Sequence, residues 1–171
     1  WTYGWDFAGT AHVGISRDGQ KIVAAVGNGV NGTADVVVFS PASNVPLSYT
    51  PIAIGANNDI RGFDLSADGS TLYVSSSGSP TAYIFDVATA SVVFSQPLQA
   101  SFDSHAISGD GKVFAFGNFG SMSVYEKTGT FYTNTHNQIV GGQCYCAMID
   151  ISDDGKTIAS GYTFYSTYLP V

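Results

Sequence analysis

Hydrophobic and polar residues alternate with a period of two along most of the chain, in short runs separated by turn-forming residues. The stretch "FDLSADGSTLYVSS", residues 63–76, shows the pattern: an alternation, then Ser-Ala-Asp-Gly, then a second alternation. A period of two sends successive side chains to opposite faces of a strand. No segment sustains the 3.6-residue apolar period of an amphipathic helix, so the pattern predicts an all-β protein.

The pattern repeats. Four segments align on Ser-x-Asp-Gly: "HVGISRDGQKIVAAVGNG" from His12, "GFDLSADGSTLYVSSSG" from Gly62, "SHAISGDGKVFAFGNFG" from Ser104 and "MIDISDDGKTIASGYTF" from Met148. The anchoring serines, Ser16, Ser66, Ser108 and Ser152, are 50, 42 and 44 residues apart. Each unit reads as a short strand, a turn and a second strand rich in Val, Ala, Phe and Tyr. Gly19, Gly69, Gly111 and Gly155 sit where a tight hairpin needs φ > 0. Asp18, Asp68, Asp110 and Asp154 tolerate that region and can accept a backbone N–H two residues on, as the serine hydroxyl can more weakly. The motif therefore predicts hairpin geometry rather than chemistry.

Third strands follow in "ADVVVFSP" (34–41), "TAYIFDVAT" (81–89) and "SMSVYEKTG" (121–129), and outer fourth strands in "VPLSYTPI" (45–52), "VVFSQPL" (92–98) and "TFYTNTH" (130–136). Four antiparallel strands in about 40–45 residues, repeated, are the signature of a β-propeller blade. On these residues the chain resembles the WD40-like and quinoprotein-like (YVTN-type) β-propellers over essentially its whole length. The resemblance implies four-stranded antiparallel blades, about four of them, in a closed four-blade ring or a fragment of a larger propeller. The Gly-His and Trp-Asp dipeptides of WD40 repeats are missing, so their His–Asp network is not carried over, and no Trp-rich quinone-docking motif is present. The repeats fall at roughly 8–52, 60–100, 103–140 and 147–171 of a single domain. Residues 1–7, with Trp1-Thr2-Tyr3 aligned on Leu47-Ser48-Tyr49, are expected as an outer strand of the last or preceding blade, and "YSTYLPV" as a third strand of the last. The abrupt start at Trp1 and end after Leu169-Pro170 fit a processed protein or a piece of a longer one.

Composition narrows the partners. Of the 171 residues only 11% are charged, against about 25% in a typical soluble domain, and the net charge is −7. Six Lys and Arg, scattered singly, supply no basic stripe to neutralise phosphates, which excludes nucleic acid as a partner. No apolar run approaches the roughly 20 residues of a membrane span. Asn31-Gly32-Thr33 is an N-glycosylation sequon in a Gly/Asn-rich loop; with the charge-poor, Ser/Thr-rich composition it points to a secreted or cell-surface setting.

Candidate chemistry is sparse. His12 and His105 lie four and three residues before their serines, hence on opposite faces of the innermost strands, and His136 stands apart; the reading is packing or hydrogen-bonded histidines, not a metal site. Asp64 and Asp150 occupy equivalent positions two residues before Ser66 and Ser152, where a glycosidase-like acid and base competes with carboxylates that bond a neighbouring backbone; the second reading is preferred. Cys144 and Cys146 form a lone Cys-x-Cys, a poor zinc site; they are expected as a strained local disulfide if the chain is secreted and as two free, partly buried thiols if it is not. The aromatic tail "GYTFYSTYLPV" reads as the outer half of the last blade before it reads as a sugar platform. No nucleophile elbow, phosphate loop or zinc-hydrolase motif is present, so catalytic, cofactor and metal residues are expected to be none. The reading is a non-enzymatic binding or scaffold propeller that engages a protein or glycan through loops on one face, with further blades or a second chain completing the ring. The alternative is a fragment of a propeller hydrolase, lyase or dehydrogenase whose site lies partly outside the chain.

Overall fold

In the computed structural model, residues 2–4, 9–28, 31–55, 59–77, 81–98, 104–118, 120–139 and 144–164 are described. They form strands only, in four antiparallel sheets. The first sheet runs β1 (Ala11–Ile15), β2 (Ile22–Asn28), β3 (Thr33–Phe39), β4 (Ser48–Ala53). The second is β5 (Ile60–Leu65), β6 (Thr71–Ser76), β7 (Thr81–Asp86), β8 (Ser91–Pro97), and the third β9 (His105–Ile107), β10 (Val113–Asn118), β11 (Ser121–Thr128), β12 (Phe131–Ile139). The fourth shows β13 (Cys144–Ile151) and β14 (Ile158–Phe164). Each sheet is a meander in chain order, so the four are blades of a β-propeller-like fold. The strand expected over 165–171 lies outside the described residues, as do Trp1 and residues 5–8. Thr2–Gly4 forms no strand pairing and lies on the first blade, where Tyr3 meets Phe39 edge-on with ring centroids 5.0 Å apart.

The four hairpins are built alike. The serine hydroxyl donates to the aspartate: Ser16 to Asp18 at 2.6 Å, Ser66 to Asp68 at 2.7 Å, and Ser108 to Asp110 and Ser152 to Asp154 at 2.8 Å. The same hydroxyl accepts the N–H five residues on, from Lys21, Thr71, Val113 and Thr157, at 2.9–3.0 Å. The aspartate accepts the N–H two residues on, from Gln20, Ser70, Lys112 and Lys156. The glycine, at φ between 66° and 70° in all four turns, closes the hairpin. The reach of the serine to the fifth residue is more than a local turn requires: it ties the start of the second strand to the end of the first.

Blades pack through both faces of their middle strands. Every residue of β6 is buried; Leu72 and Val74 join Val36, Ile52 and Phe85 in the core between the first two blades. Tyr73, on the opposite face, joins Ile84, Phe114, Tyr125 and Tyr132 between the second and third. There Phe114 and Tyr125 stack at 5.0 Å, and the Tyr132 hydroxyl donates to the Gly111 carbonyl at 2.7 Å. Burial pushes the Tyr132 phenol up to about 12. A smaller core of Ala115, Val124, Cys146 and Ile151 joins the third and fourth. The turn glycines serve this stacking too. A Cβ on Gly69 would fall 2.8 Å from the Ser16 Cβ of the preceding blade, and one on Gly155 2.6 Å from Val113. Gly19, on the first blade, would meet nothing.

Because Ser108 is fully buried and its counterpart Ser152 is not, the same substitution should differ in cost. Ser108→Ala strands the Val113 N–H and is expected to destabilise the fold by about 1–3 kcal/mol; Ser152→Ala, where water replaces the hydroxyl, should cost less than about 1 kcal/mol. Urea unfolding of the two variants measures both.

Candidate functional site

The four Ser-x-Asp-Gly turns lie together at one end of the inner strands, and their variable x residues, Arg17, Ala67, Gly109 and Asp153, meet there. Neighbouring turns are joined by backbone: the Arg17 N–H donates to the Ala67 carbonyl at 2.7 Å, and the Asp68 N–H to the Gly109 carbonyl at 3.0 Å. Gly109 then makes room for Asp153, whose Cβ would stand 3.0 Å from any Cβ placed on it. The Arg17 guanidinium donates to Asp153 Oδ1 at 2.6 Å, bridging the first turn to the fourth. These residues, with Asp18, Asp68 and Asp110, line a cleft of about 510 Å³. Residues from all four repeats converge there on an open mouth.

The mouth is built from carboxylates that stay ionised. The Ser16 hydroxyl, then the Gln20 N–H, holds Asp18 below the usual carboxylate range, and Ser152 and Lys156 do the same for Asp154. The Arg17 hydrogen bond lowers Asp153. Burial works against Asp68 and Asp110, but the Ser70 N–H and Ser66 hydroxyl outweigh it at the first, and Lys112 with Ser108 at the second. A carboxylate held this way is a poor proton donor at neutral pH, so these groups stand at the mouth as negative charges and hydrogen-bond acceptors.

A second polar cluster lies between the second and third blades. Asp64 Oδ2 accepts the Ile107 N–H of the next blade at 3.0 Å. This caps a backbone donor on the free inner edge of β9, the kind of group an edge strand leaves unpaired. Burial pushes the Asp64 carboxyl up, against the pull of that N–H and of His105, and the charge of Asp150 adds to the rise. Each carboxylate is already engaged: Asp64 holds the Ile107 N–H of the next blade, and Asp150 Oδ1 takes the N–H of its own neighbour Ile151 at 2.9 Å. His105 stacks on Tyr73 at 4.6 Å, and Gly62 leaves room for it: a Cβ there would stand 3.0 Å from the imidazole and 2.5 Å from Ser75 Oγ.

The histidines do not converge. His12 faces the following blade, against Phe63 at 5.9 Å, while His105 faces the preceding one and His136 is exposed on β12. Among the described residues no three His, Cys, Asp or Glu side chains are placed to share a metal ion. Cys146 is buried beside Ser104 Oγ, 3.7 Å from its Sγ; the side chain of Cys144 lies outside the described residues, and the expected pairing with it. Asn31 is exposed in the turn before β3. Two contacts escape the sequence pattern. The Arg17–Asp153 bridge had one signal, since these are the only charged x residues and their signs are opposite. Asp59, which accepts from Thr10 N–H at 3.1 Å and from the Thr10 hydroxyl to tie the first two blades at the far end of the axis, had none, because it falls outside the repeated motif.

No protein-family model and no curated protein matches the chain. Solved structures do match in fold. One is hydrazine synthase from Kuenenia stuttgartiensis, with a TM-score of 0.63 and 18% identity over 92% of this chain and 43% of that one. Another is a chain of the mitotic checkpoint complex, with a TM-score of 0.60 and 12% identity over 90% and 48%. A third is a candidate 6-phosphogluconolactonase from Bacteroides uniformis, with a TM-score of 0.54 and 19% identity over 75% and 40%. The chain spans less than half the length of each. At these identities the likeness is one of fold.

The carboxylates set a pH dependence of two signs. Asp18, Asp68, Asp110, Asp153 and Asp154 have lowered folded values, so their stabilisation is present above the ordinary carboxylate value and is lost as pH falls through their folded ones. Asp64 is raised, so its contribution is present below the ordinary value and is lost as pH rises through its folded one. Unfolding measured from about pH 7 down to about pH 2 should show a net loss of stability toward acid. Relative to the native chain, Asp64→Asn should look more favourable at neutral pH than in acid; the reverse order would contradict the burial assigned to Asp64.

Proposed function

We propose that the chain is a non-enzymatic β-propeller-type binding module, displayed outside the cell, that engages a protein or glycan at the mouth formed by its four turns. The observation that carries this reading is the division of labour in that mouth. The Ser, Asp and Gly of each turn are committed to hairpin geometry, while the x residues differ in every repeat and meet in one cleft. A surface whose scaffold is repeated and whose exposed positions vary is suited to recognition. The extracellular setting rests on the exposed sequon at Asn31 and on the charge-poor composition.

The enzyme reading has one specific support, the raised carboxyl of Asp64 with Asp150 nearby, since perturbed carboxylates recur at catalytic centres. Two of the similar solved chains carry the names of enzymes and one belongs to a complex, so the fold favours neither reading.

The two readings separate on different residues. Ala67→Lys places a long cation in the cleft without touching any hairpin hydrogen bond, and is expected to weaken capture of glycan-array or peptide-library ligands at least tenfold while leaving unfolding unchanged. Asp64→Asn should leave that capture intact. Turnover of a lactone, ester or glycoside substrate that is lost in Asp64→Asn and kept in Ala67→Lys would overturn the binding reading. For the setting, secretion from a eukaryotic host should yield a glycoform that Asn31→Gln and glycosidase treatment both remove; an unmodified secreted chain would count against the glycoprotein assignment.

A further inference from the structure

Successive blades meet at equivalent junctions, and the first junction lacks two rings that the second one has. Val23 and Tyr73 each follow their turn serine by seven residues. They pair with Val38 and Ile84, which pair in turn with Ser48 and Phe94. Ser48 therefore has the place of Phe94. Likewise Asp86 pairs with Ser91 as Glu126 pairs with Thr133, so Ala90 has the place of Tyr132. Between the second and third blades Phe94 and Tyr132 fill the junction, their ring centroids 6.0 Å apart, with Phe114 and Tyr125 beside them. Between the first and second blades a serine and an alanine stand in their stead. A cavity of about 240 Å³ opens there, lined by Lys21, Val38, Leu47, Ser48, Val87 and Ala88. Both of its walls are blades of this chain.

The polar end of the junction differs as well. The Tyr132 hydroxyl donates to the Gly111 carbonyl, whereas the corresponding carbonyl of the second turn, on Gly69, takes the Lys21 ammonium at 3.2 Å. That contact uses one of the three N–H donors of a lysine. Arg17, Lys112 and Lys156 are paired with aspartates, but among the described residues Lys21 meets no carboxylate at ion-pair distance. Asp18 and Asp68 feel its charge only from farther away. The cavity thus has apolar walls and a cation at one end.

We propose that this cavity is a second binding site, separate from the turn mouth, for a small aromatic carboxylate. The ligand ring takes the space that aromatic side chains fill in the sister junction, and its carboxylate meets Lys21 Nζ. The size agrees, since a cavity of about 150 Å³ holds a benzene ring and the remainder admits a carboxylate. Val38, Leu47 and Val87 supply the apolar contact. An ammonium-to-carboxylate hydrogen bond is about twice as strong as a neutral one, so the charge selects an acid over a plain ring. A free aromatic acid and the carboxyl-terminal phenylalanine of a peptide present the same chemistry.

Titration of the full chain with benzoate, followed by NMR shifts and calorimetry, tests the proposal. Saturable binding is expected, with a Kd between about 10 μM and about 1 mM. Benzyl alcohol, which keeps the ring and drops the charge, should bind at least about tenfold more weakly. Lys21→Met should weaken benzoate binding by a similar factor, and Lys21→Arg should retain it. Ser48→Phe places the missing ring in the cavity and should abolish binding with circular dichroism and unfolding unchanged. Ala67→Lys, at the turn mouth, should have no effect. No saturable binding up to about 10 mM benzoate would overturn the proposal. So would binding that Ser48→Phe and Lys21→Met both leave intact, since the ligand then sits elsewhere. Competition by a peptide ending in phenylalanine, but not by its amidated form, assigns the site to a chain terminus; benzoate binding without that competition assigns it to a free acid.

Discussion

The fold depends on one hydroxyl used twice in each repeat. The turn serine gives its proton to an aspartate two residues on and takes an N–H five residues on, so a single side chain holds both the tip of the hairpin and the first rung of its ladder. Ser16, Ser66 and Ser108 are buried as they do this. A buried hydroxyl with both partners satisfied stabilises its hairpin; with either one missing it becomes a cost. Four such hairpins define the pitch at which the blades stack. In the second, third and fourth turns the glycine must be small for a second reason, because the preceding hairpin rests against it, whereas Gly19 faces open space.

Stacking in turn explains where polar residues are allowed. Middle strands are apolar on both faces because both are interfaces, as in β6. The inner strands have one edge free, and their polar residues serve that edge: Asp64 caps the Ile107 N–H, and Asp59 ties the first blade to the second. Asp59, Asp64, Asp150 and the turn residues Asp18, Asp68, Asp110 and Asp154 accept backbone N–H groups that the meander leaves over. The mouth forms as a by-product of this geometry. Hairpins of one shape, stacked at one pitch, bring their tips together, and the single position of the tip whose side chain takes no part in the hairpin's own hydrogen bonds becomes the lining of a cleft.

Much of this was legible in the chain. The third strands expected from "ADVVVFSP", "TAYIFDVAT" and "SMSVYEKTG" coincide with β3, β7 and β11 to within two or three residues at their ends. The positive φ of the turn glycines and the acceptance by each aspartate of an N–H two residues on also follow from local stereochemistry. The longer reach of the serine was not legible, because its partner is fixed only once two strands pair. The placement of residues 1–7 as a paired outer strand is not seen for Thr2–Gly4, where Tyr3, itself still exposed, instead meets Phe39 edge-on across the sheet face.

The sequence by itself determined the repeat, the hairpin chemistry and the all-β class, since each depends on residues within a few positions of one another and on the period of two. It also determined that the Ser-x-Asp-Gly carboxylates belong to geometry. Tertiary structure alone decided which repeats touch and through which atoms. The pairing of Arg17 with Asp153, the cap that Asp64 places on Ile107 and the stacking of His105 on Tyr73 all join positions far apart in the chain. Their energies arise from where one blade lies on the next, a relation no local pattern of residues encodes.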